Sequence, residues 1–454
     1  MSKEFFYRNL KKQYPTISSG SGVWLSDTQG KRYLDGCSGA VVANIGHGVS
    51  EVNEAINVQL GKIAFAHTSQ FVSEPGLRLA ERLIKMAPQK FKSGGRAYFV
   101  SGGSEAVETA LKLARAYFFE LGSYQKHIVI SRKNSYHGST QGALSATGHP
   151  ARRKPYLPLL SDNKHISPSY SYRCACGAEL CVSSDCARRL ANELDAAIIE
   201  AGPDNVMAYI AEPVVGAALG AVPPHADYFK YIREICDRHS VLLIADEVMT
   251  GLGRCGADFA LSEFGVEADI IALGKGLSAG YMPLGAVLAS GGIVDAFERG
   301  NGVFEHGFTY SGHPVSCAAG VAVLDYMDAH GLVGRVQQLE AKLRDGLFAL
   351  YDTGIVGNVR GKGFLWGIEL VKDREKKEPF APQLKLSQTV AAEAARQGLL
   401  IYPGSGSVDG VRGDHVIVAP PFTVSEAELD KLFQLLLGAV KGIAQGLSKT
   451  SKLH

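Results

Sequence analysis

The chain has 454 residues, which is enough for two or three domains' worth of sequence and a large hydrophobic core. Apolar residues make up 46% of it, charged residues make up 20%, and the formal net charge is +2. This composition excludes a disordered chain and leaves no basic excess for nucleic acid or anionic lipid, so the expected partners are small molecules and other copies of the chain.

Residues 1–60 are predicted to form the amino-terminal segment of a smaller domain. Residues 1–8 contain neither an uninterrupted apolar core nor a small-residue cleavage site, so no signal peptide is predicted. Short strand-like pieces at residues 22–25 and 32–35 are joined by glycine turns. No apolar run approaches the length of a membrane span, and we therefore expect a cytoplasmic protein.

Residues 61–329 are predicted to form a larger domain, in which apolar strands and amphipathic helices alternate from about residue 97. This alternation is typical of a parallel sheet covered by helices. The strand at residues 97–101 leads through Gly102 and Gly103 into a helix opened by Ser104. Such a helix start can bind phosphate through open N–H groups, the helix dipole and the serine hydroxyl, although an ordinary capped helix start shows the same pattern.

Three further predicted strands are each followed by polar side chains. Residues 127–131 precede Tyr136 and His137, residues 206–211 precede Glu212, and residues 241–245 precede Asp246. Open α/β folds bind their ligands at the carboxyl ends of the strands. Tyr136 could therefore stack on a flat heteroaromatic ligand, although ordinary packing explains this residue equally well.

Four of the eight cysteines crowd into one segment, namely Cys174, Cys176, Cys181 and Cys186. Their spacing, C-x-C-x4-C-x4-C, lacks the paired C-x2-C hooks of a zinc ribbon. We therefore expect a surface loop without a metal ion, with a metal site as the alternative that metal analysis would detect. The other four cysteines are scattered and are expected to be reduced.

Lys275 is the strongest candidate for a catalytic residue. It follows an apolar run at residues 270–273, which is predicted to be a buried strand, and it lies between Gly274 and Gly276. A lysine that forms a Schiff base with an aldehyde cofactor needs a rigid strand, glycines that let the backbone approach the cofactor, and surroundings that lower its pKa. The sequence provides the first two, and a solvated lysine at a strand end is the alternative. Asp246 lies 29 residues earlier, which leaves room for a loop, a short helix and the strand.

Residues 330–454 are predicted to complete the smaller domain, which would be of α+β type. The pattern after a helix at about residues 314–329 is another helix, a strand pair around residues 359–370, a further helix, a strand at residues 416–419 and a final helix from about residue 425.

Seven motifs follow one another along the chain: Ser101-Gly-Gly-Ser-Glu105, Tyr136-His137-Gly138, Ala211-Glu212-Pro213, Asp246-Glu247-Val248, Thr250-Gly-Leu-Gly-Arg254, Gly274-Lys275-Gly276 and Thr309. In order and spacing they resemble the class III (ω-) aminotransferases, which use pyridoxal 5'-phosphate (PLP). The similarity covers about residues 20 to 440. It implies PLP-dependent transferase fold type I, with a mostly parallel seven-stranded sheet flanked by helices in the large domain and a smaller α+β domain built from both termini.

The resemblance implies a role for each matching residue. Lys275 corresponds to the lysine that holds PLP as a Schiff base, and Asp246 corresponds to the acid paired with the pyridine nitrogen. Tyr136 and Val248 correspond to the side chains on the two ring faces, Gly103 and Ser104 to the phosphate cradle, Glu212 to a supporting carboxylate, and His137 to a neighbour in the site. Thr309 corresponds to a residue that contacts the phosphate in the neighbouring subunit, which implies at least a homodimer.

The resemblance also implies a transaminase with ping-pong kinetics, in which the freed Lys275 moves a proton as general base and acid. Members that use 2-oxoglutarate carry a glutamate five positions after Glu212, where Ala217 stands here. We therefore expect an amine or ω-amino acid as donor and pyruvate as acceptor. Arg412 is the candidate for an arginine that binds the α-carboxylate, although it directly precedes Gly413-Asp414 instead of lying three residues before that pair, and a surface arginine is the alternative.

Other activities would use the same cofactor residues: a 2-oxoglutarate-dependent aminotransferase, a decarboxylating transaminase, an aminomutase or a racemase. A nucleotide-dependent dehydrogenase would need a G-x-G-x-x-G turn, and the turn at Gly102 and Gly103 lacks that spacing. A cofactor-binding homologue without activity is disfavoured because the lysine, the acid and the phosphate cradle are all intact.

Overall fold

The structure is a computed structural model that describes residues 4–177, 181 and 183–451. Its strands are β1 (Ile17–Ser21), β2 (Trp24–Asp27), β3 (Arg32–Asp35), β4 (Arg96–Val100), β5 (Ile128–Arg132), β6 (Lys164–Ile166), β7 (Val206–Ala211), β8 (Leu242–Asp246), β9 (Ile270–Leu273), β10 (Gly285–Ala289), β11 (Val356–Lys362), β12 (Leu365–Asp373), β13 (Glu378–Pro379), β14 (Leu399–Leu400), β15 (Tyr402–Ser405) and β16 (Asp414–Val418). Its α-helices are α1 (Ser38–Val41), α2 (Ser50–Lys62), α3 (Glu74–Met86), α4 (Gln89–Lys92), α5 (Gly103–Glu120), α6 (Gln141–Ala146), α7 (Pro150–Arg153), α8 (Ser184–Ala201), α9 (Tyr228–Arg238), α10 (Gly291–Arg299), α11 (Pro314–Ala329), α12 (Leu332–Phe348), α13 (Leu386–Arg396) and α14 (Glu426–Ser451).

The larger part of the chain is built around a seven-stranded sheet of order β4-β10-β9-β8-β7-β5-β6. Six strands run parallel, and only β10 runs antiparallel to its two neighbours in this sheet. Strands β7, β8 and β9 are buried along their whole length, which explains their continuous apolar sequences. The prediction of a mostly parallel α/β sheet is confirmed.

Helices cover both faces of this sheet. On one face, Leu83 of α3, Leu190 of α8 and Ile232 of α9 belong to one buried apolar cluster with residues of the strands. On the other face, Val107 of α5 and Ile293 of α10 belong to a second cluster. The sheet is therefore a rigid platform between two apolar layers, and its edges are the places where polar side chains can meet a ligand.

The smaller part of the molecule combines both ends of the chain, as predicted. Strands β1, β2, β3 and β14 form one sheet, in which Leu399 pairs with Leu34 in parallel. Strands β11, β12, β13, β15 and β16 form an antiparallel sheet. A single apolar cluster contains Leu34, Val416 and Leu432. The predicted domain boundaries at residues 60 and 329 stay predictions.

Among the described residues, no helix is both long and apolar enough to cross a membrane. The cytoplasmic location stays a prediction.

Candidate active site

The candidate active site lies where the parallel strands of the large sheet end. Strands β5, β7, β8 and β9 run parallel, so their carboxyl ends lie at the same edge. Polar residues lie at or just after these ends, namely Tyr136 and His137 after β5, Glu212 after β7, Asp246 at the end of β8 and Lys275 after β9. Five of the residues singled out in the sequence are thus brought to one edge of the sheet.

Lys275 leaves β9 in a strained backbone conformation. Its φ is 44°, in the left-handed region that residues other than glycine rarely adopt. The preceding Gly274 lies against the start of α5, since a Cβ on Gly274 would come within 3.1 Å of the Gly103 Cα. Strand β9 and this close glycine contact therefore fix the position of the Lys275 backbone beside the start of α5.

The Lys275 side chain lies where a positive charge is disfavoured. Burial lowers its pKa to about 8, against the opposing effect of the Asp246 and Glu212 carboxylates. Among the described residues, no group accepts a hydrogen bond from its Nζ. Near neutral pH this amine is therefore neutral far more often than the amine of a solvated lysine, and a neutral amine is a nucleophile and a base.

Asp246 is buried and is held by two hydrogen bonds. Its Oδ2 lies 2.7 Å from His137 Nδ1, and its Oδ1 accepts from the Val248 N–H at 3.1 Å. His137 is fixed in turn because its backbone N–H donates to Thr147 Oγ1 at 2.9 Å. In the described part of the chain the His137 Nε2 has no hydrogen-bond partner. The Asp246 carboxylate therefore has a fixed orientation, and the His137 imidazole helps to hold it.

The start of α5 suits an anion. Gly102, the residue before the helix, makes no side-chain cap, so the first N–H groups of the helix are open donors. Ser104 Oγ accepts from the Ser139 N–H at 3.0 Å, which leaves the serine hydrogen available to donate. A Cβ on Gly103 would lie 2.6 Å from Val248 Cγ1, so the close packing here requires glycine. These donors and the helix dipole together can bind a phosphate group.

Glu212 positions the Tyr136 loop. Its Oε1 accepts from the Tyr136 N–H at 3.1 Å, and its Oε2 accepts from the Gly216 N–H at 2.7 Å. Burial raises the Glu212 pKa. The Tyr136 hydroxyl lies 3.0 Å from Ser139 Oγ, so both ends of the tyrosine are tied to neighbouring loops. Glu212 therefore acts on the site through Tyr136.

Arg152, in α7, is a charged residue of this site that the sequence alone did not reveal. Its guanidinium carbon lies 4.4 Å from the centre of the Tyr136 ring. After burial and the charge of Arg254, its positive charge is a further influence that lowers the Lys275 pKa. It forms no ion pair with an acid in the part of the chain that the structure describes. No motif marks this arginine, because only the folding of α7 onto the Tyr136 loop brings it here.

Arg254, from the Thr250-Gly-Leu-Gly-Arg254 motif, connects the loop after β8 to the smaller part of the molecule. Its Nη2 donates to Asn44 Oδ1 at 2.7 Å and to Ser38 Oγ at 3.2 Å. Its Nη1 donates to the Phe364 and Pro420 carbonyls at 3.1 and 2.7 Å. Burial lowers its pKa to about 9. These contacts give Arg254 a structural role, which is to hold the two parts of the molecule together.

Two predicted site residues do not join this group within the described chain. Thr309 is exposed in the loop between α10 and α11. Arg412 is exposed in the loop between β15 and β16, where its Nε donates to Asp409 Oδ2 at 2.7 Å. Neither makes a hydrogen bond or an ion pair with the other predicted site residues in the described part of the chain.

Comparisons with known proteins place the chain among enzymes. The family model described as Aminotransferase class-III matches residues 6–440. The uncharacterized aminotransferase YodT of Bacillus subtilis is 41% identical over 99% of this chain and 100% of its own length. The solved (S)-enantioselective omega-transaminase of Thermomicrobium roseum is 37% identical, with a TM-score of 0.90 over 97% of this chain and 96% of its own. The PLP-bound amine transaminase of an uncultivated Pseudomonas species is 35% identical, with a TM-score of 0.89 over 97% and 98%.

Proposed function

The chain belongs to the class III aminotransferases, PLP-dependent enzymes of fold type I, and we propose that it moves the amino group of an amine or ω-amino acid to pyruvate with ping-pong kinetics. The observation that carries the proposal is the half-buried Lys275, whose amine lacks a hydrogen-bond acceptor in the described chain and lies close enough to Asp246 for that charge to affect its pKa. The donor class is supported by the similar solved enzymes, which are an amine transaminase and an omega-transaminase.

The residues of the site fit PLP. The open N–H groups at the start of α5 and the Ser104 hydroxyl would hold the phosphate, and Asp246 would face the pyridine nitrogen. Tyr136 and Val248 would contact the two faces of the ring. When bound, PLP supplies an aldehyde that condenses with amines and a ring that stabilises negative charge on the adjacent carbon.

Lys275 would hold the cofactor and then carry the proton. Its lowered pKa keeps part of the amine neutral, so Nζ can remove the proton from the donor carbon that bears the amino group. The strained backbone and the glycine contact fix where the side chain starts, so Nζ moves only through its own side-chain torsions. A short, constrained path of this kind would let Nζ carry the proton from the donor carbon to the cofactor.

Asp246 would keep the ring nitrogen protonated. The His137 and Val248 hydrogen bonds fix the direction of the carboxylate, so it cannot rotate away from a ligand. Because Asp246 is buried, an ionic contact with it is stronger than it would be in water. His137 would act as a positioning residue through Asp246.

One feature supports pyruvate as the acceptor, and a second supports the binding of a keto acid in general. Ala217 stands where the 2-oxoglutarate-using members carry a glutamate, so no carboxylate at this position competes for a substrate-binding arginine. Arg152 lies over the Tyr136 ring without an acidic partner in the described chain, and it can bind the carboxylate of a keto acid. Arg412 would have to exchange its partner Asp409 before it could do the same.

We also propose a homodimer or a larger homo-oligomer with shared sites. Thr309 is exposed, and the next residue, Tyr310, is 59% exposed although its ring lies 5.9 Å from that of Phe65. Phe71 and Val72, close to Phe65 in sequence, are also exposed. Exposed apolar side chains grouped in this way are typical of an interaction surface. A partner that covered them would bring Thr309 to a neighbouring site.

A panel of amines and ω-amino acids, each assayed with pyruvate and with 2-oxoglutarate, tests the proposal. We expect alanine as the product, with kcat/KM for pyruvate at least about tenfold above that for 2-oxoglutarate. A clear preference for 2-oxoglutarate would overturn the acceptor. Release of carbon dioxide from the donor would identify a decarboxylating transaminase, and migration of the amino group within one molecule would identify an aminomutase. No amino transfer with any pair, by protein loaded with PLP, would overturn the activity.

A further inference from the structure

Four cysteines outside the candidate active site come together in space. The sulfur atoms of Cys174, Cys176, Cys181 and Cys186 all lie within 4.8 Å of one another. Cys174 directly follows the turn at residues 171–173, and Cys186 lies in the first turn of α8. Residues 178–180 and 182, also in this segment, lie outside the described residues.

The sulfur positions fit one tetrahedral metal ion. Zinc–thiolate bonds of about 2.3 Å at tetrahedral angles put the sulfurs about 3.8 Å apart. The sulfurs of Cys174 and Cys186 are 3.6 Å apart, far beyond the roughly 2.05 Å of a disulfide bond. An iron–sulfur cluster with four irons would hold the four cysteine sulfurs farther apart, because its irons and sulfides occupy the space between them.

We propose that Cys174, Cys176, Cys181 and Cys186 bind one Zn²⁺ ion as four thiolates. Binding releases the four thiol protons to solvent. Thiolate ligands in a tetrahedral set favour zinc over magnesium and calcium, which prefer oxygen ligands. Four protein ligands fill the coordination sphere, so the site is structural and leaves no position for a substrate.

The cysteine spacing favoured a loop without metal because the paired C-x2-C hooks of a zinc ribbon are absent. In the folded chain a helix takes over part of that function, since Cys186 projects from the first turn of α8. The positive end of the helix dipole favours a thiolate there. Sequence spacing alone does not reveal that the start of α8 lies close in space to the turn at residues 171–173.

The ion would fasten the start of α8 to the turn at residues 171–173. That turn is already attached to the smaller part of the molecule, because Arg173 Nε donates to the buried Glu369 at 2.8 Å. Tyr172 is buried in the same turn. At the other end, α8 packs on the large sheet through Leu190 and Leu194. A zinc ion between these two anchored segments would stabilise the connection that joins them.

Metal analysis of the PLP-loaded protein, purified under reducing conditions and dialysed against zinc and then against buffer, tests the proposal. We expect about one zinc per chain. The double variant Cys174→Ser/Cys186→Ser should lose the metal and melt at a lower temperature. Cys236→Ala, which removes a buried thiol of α9 outside the cluster, should keep the zinc. Less than about 0.2 zinc per chain in the unaltered protein would overturn the proposal, and so would undiminished zinc in the double variant.

Cobalt replacement gives a second measurement that does not need a folded variant. The unaltered protein loaded with Co²⁺ should show thiolate-to-cobalt charge-transfer absorption and strong visible bands of a tetrahedral ion at longer wavelength than the PLP absorption. Weak bands typical of six-coordinate cobalt would overturn the four-thiolate site, and acid-labile sulfide with bound iron would overturn zinc as the metal. Both measurements are independent of the transaminase assay, so either proposal can fail without the other.

Discussion

Lys275 and Lys126 both lie where burial lowers their pKa, but the surroundings of their ammonium groups differ. The Lys126 Nζ donates to the carbonyls of Pro203, Val206 and Ser240 at 2.8–3.1 Å. The Lys275 Nζ has no acceptor in the described chain. Lys126 therefore ties three segments together as a fully bonded group, whereas Lys275 is available to react. Burial alone does not mark a reactive side chain, but burial with unused hydrogen-bonding capacity does.

The buried acids differ in the same way. Burial raises the pKa of Glu369, but the Arg360 and Arg173 guanidinium groups outweigh it, and the net pKa lies below the ordinary value. Arg173, Arg360 and the Tyr170 hydroxyl surround this carboxylate, so its partners are complete. A fully paired charge of this kind is structural. Asp246 instead has His137 as its side-chain partner, and that imidazole still has an unpaired nitrogen in the described chain.

The largest effect is expected at Lys275. Lys275→Ala removes the reactive amine, so turnover should fall by at least about 10⁴-fold and the absorbance of the PLP-loaded protein near about 400 nm should disappear. The fold should persist, because the side chain makes no hydrogen bond in the described chain. Steady-state rates, absorption spectra and circular dichroism measure the three outcomes.

Lys126→Met is the matched control. It removes the donor of three carbonyls, of which that of Val206 is buried, so we expect a loss of about 1–3 kcal/mol in the free energy of unfolding. Turnover should be unchanged at a temperature where the variant is folded. If Lys126→Met lost turnover at full stability, or Lys275→Ala kept it, the contrast between the two lysines would be wrong.

A smaller loss is expected for Asp246→Asn, because an amide has no negative charge to keep a ring nitrogen protonated. We expect kcat to fall by about 10²–10³-fold with PLP still bound. Glu247→Gln is the neighbouring control: burial raises the Glu247 pKa to about 7, so about half of this carboxyl is already neutral near pH 7 and its replacement should cost less than that of Asp246. Equal losses in the two variants would mean that the charge of Asp246 is not what matters.

The sequence predicted the core of the fold well because β5, β7, β8 and β9 are apolar runs that end in polar residues. A strand of a parallel sheet is buried on both faces, so its sequence is recognisable without its partners. Strand β10 was missed because its place, antiparallel between β4 and β9, depends on segments far apart in the chain. Partner choice of this kind leaves no local pattern in the sequence.

The candidate site was also predicted only in part from the sequence. Lys275 and Asp246 were identified because motifs mark them. The contact of His137 with Asp246 and the position of Arg152 over Tyr136 were not, since both depend on how loops after different strands fold together. A sequence motif preserves which residue type is present, whereas unused hydrogen-bonding capacity can be recognised only when all neighbours are known.

Arg152 and Arg412 extend the contrast to substrate binding. Arg152→Ala should raise the KM for pyruvate by about 10- to 100-fold with a smaller change in kcat, because a charged hydrogen bond to the substrate carboxylate is lost. Arg412→Ala should change KM much less, because its partner is Asp409. Rates with pyruvate for both variants decide the matter. A larger rise in KM for Arg412→Ala than for Arg152→Ala would assign binding of the substrate carboxylate to Arg412, as the sequence predicted, and not to Arg152.

The smallest effect is the pH dependence of PLP capture by the apoenzyme. Only the neutral Lys275 amine attacks the aldehyde, and burial lowers its pKa to about 8. Below this pH the neutral fraction falls about tenfold per pH unit, so the capture rate should fall equally and should level off above it. N-acetyl-lysine amide, measured in the same buffers, corrects for the ionisation of PLP itself and should keep rising toward a pKa of about 10.4. If the corrected rate of the protein also rose through pH values of about 9 and 10, Lys275 would ionise as a solvated lysine does, and its difference from an ordinary surface lysine would be lost.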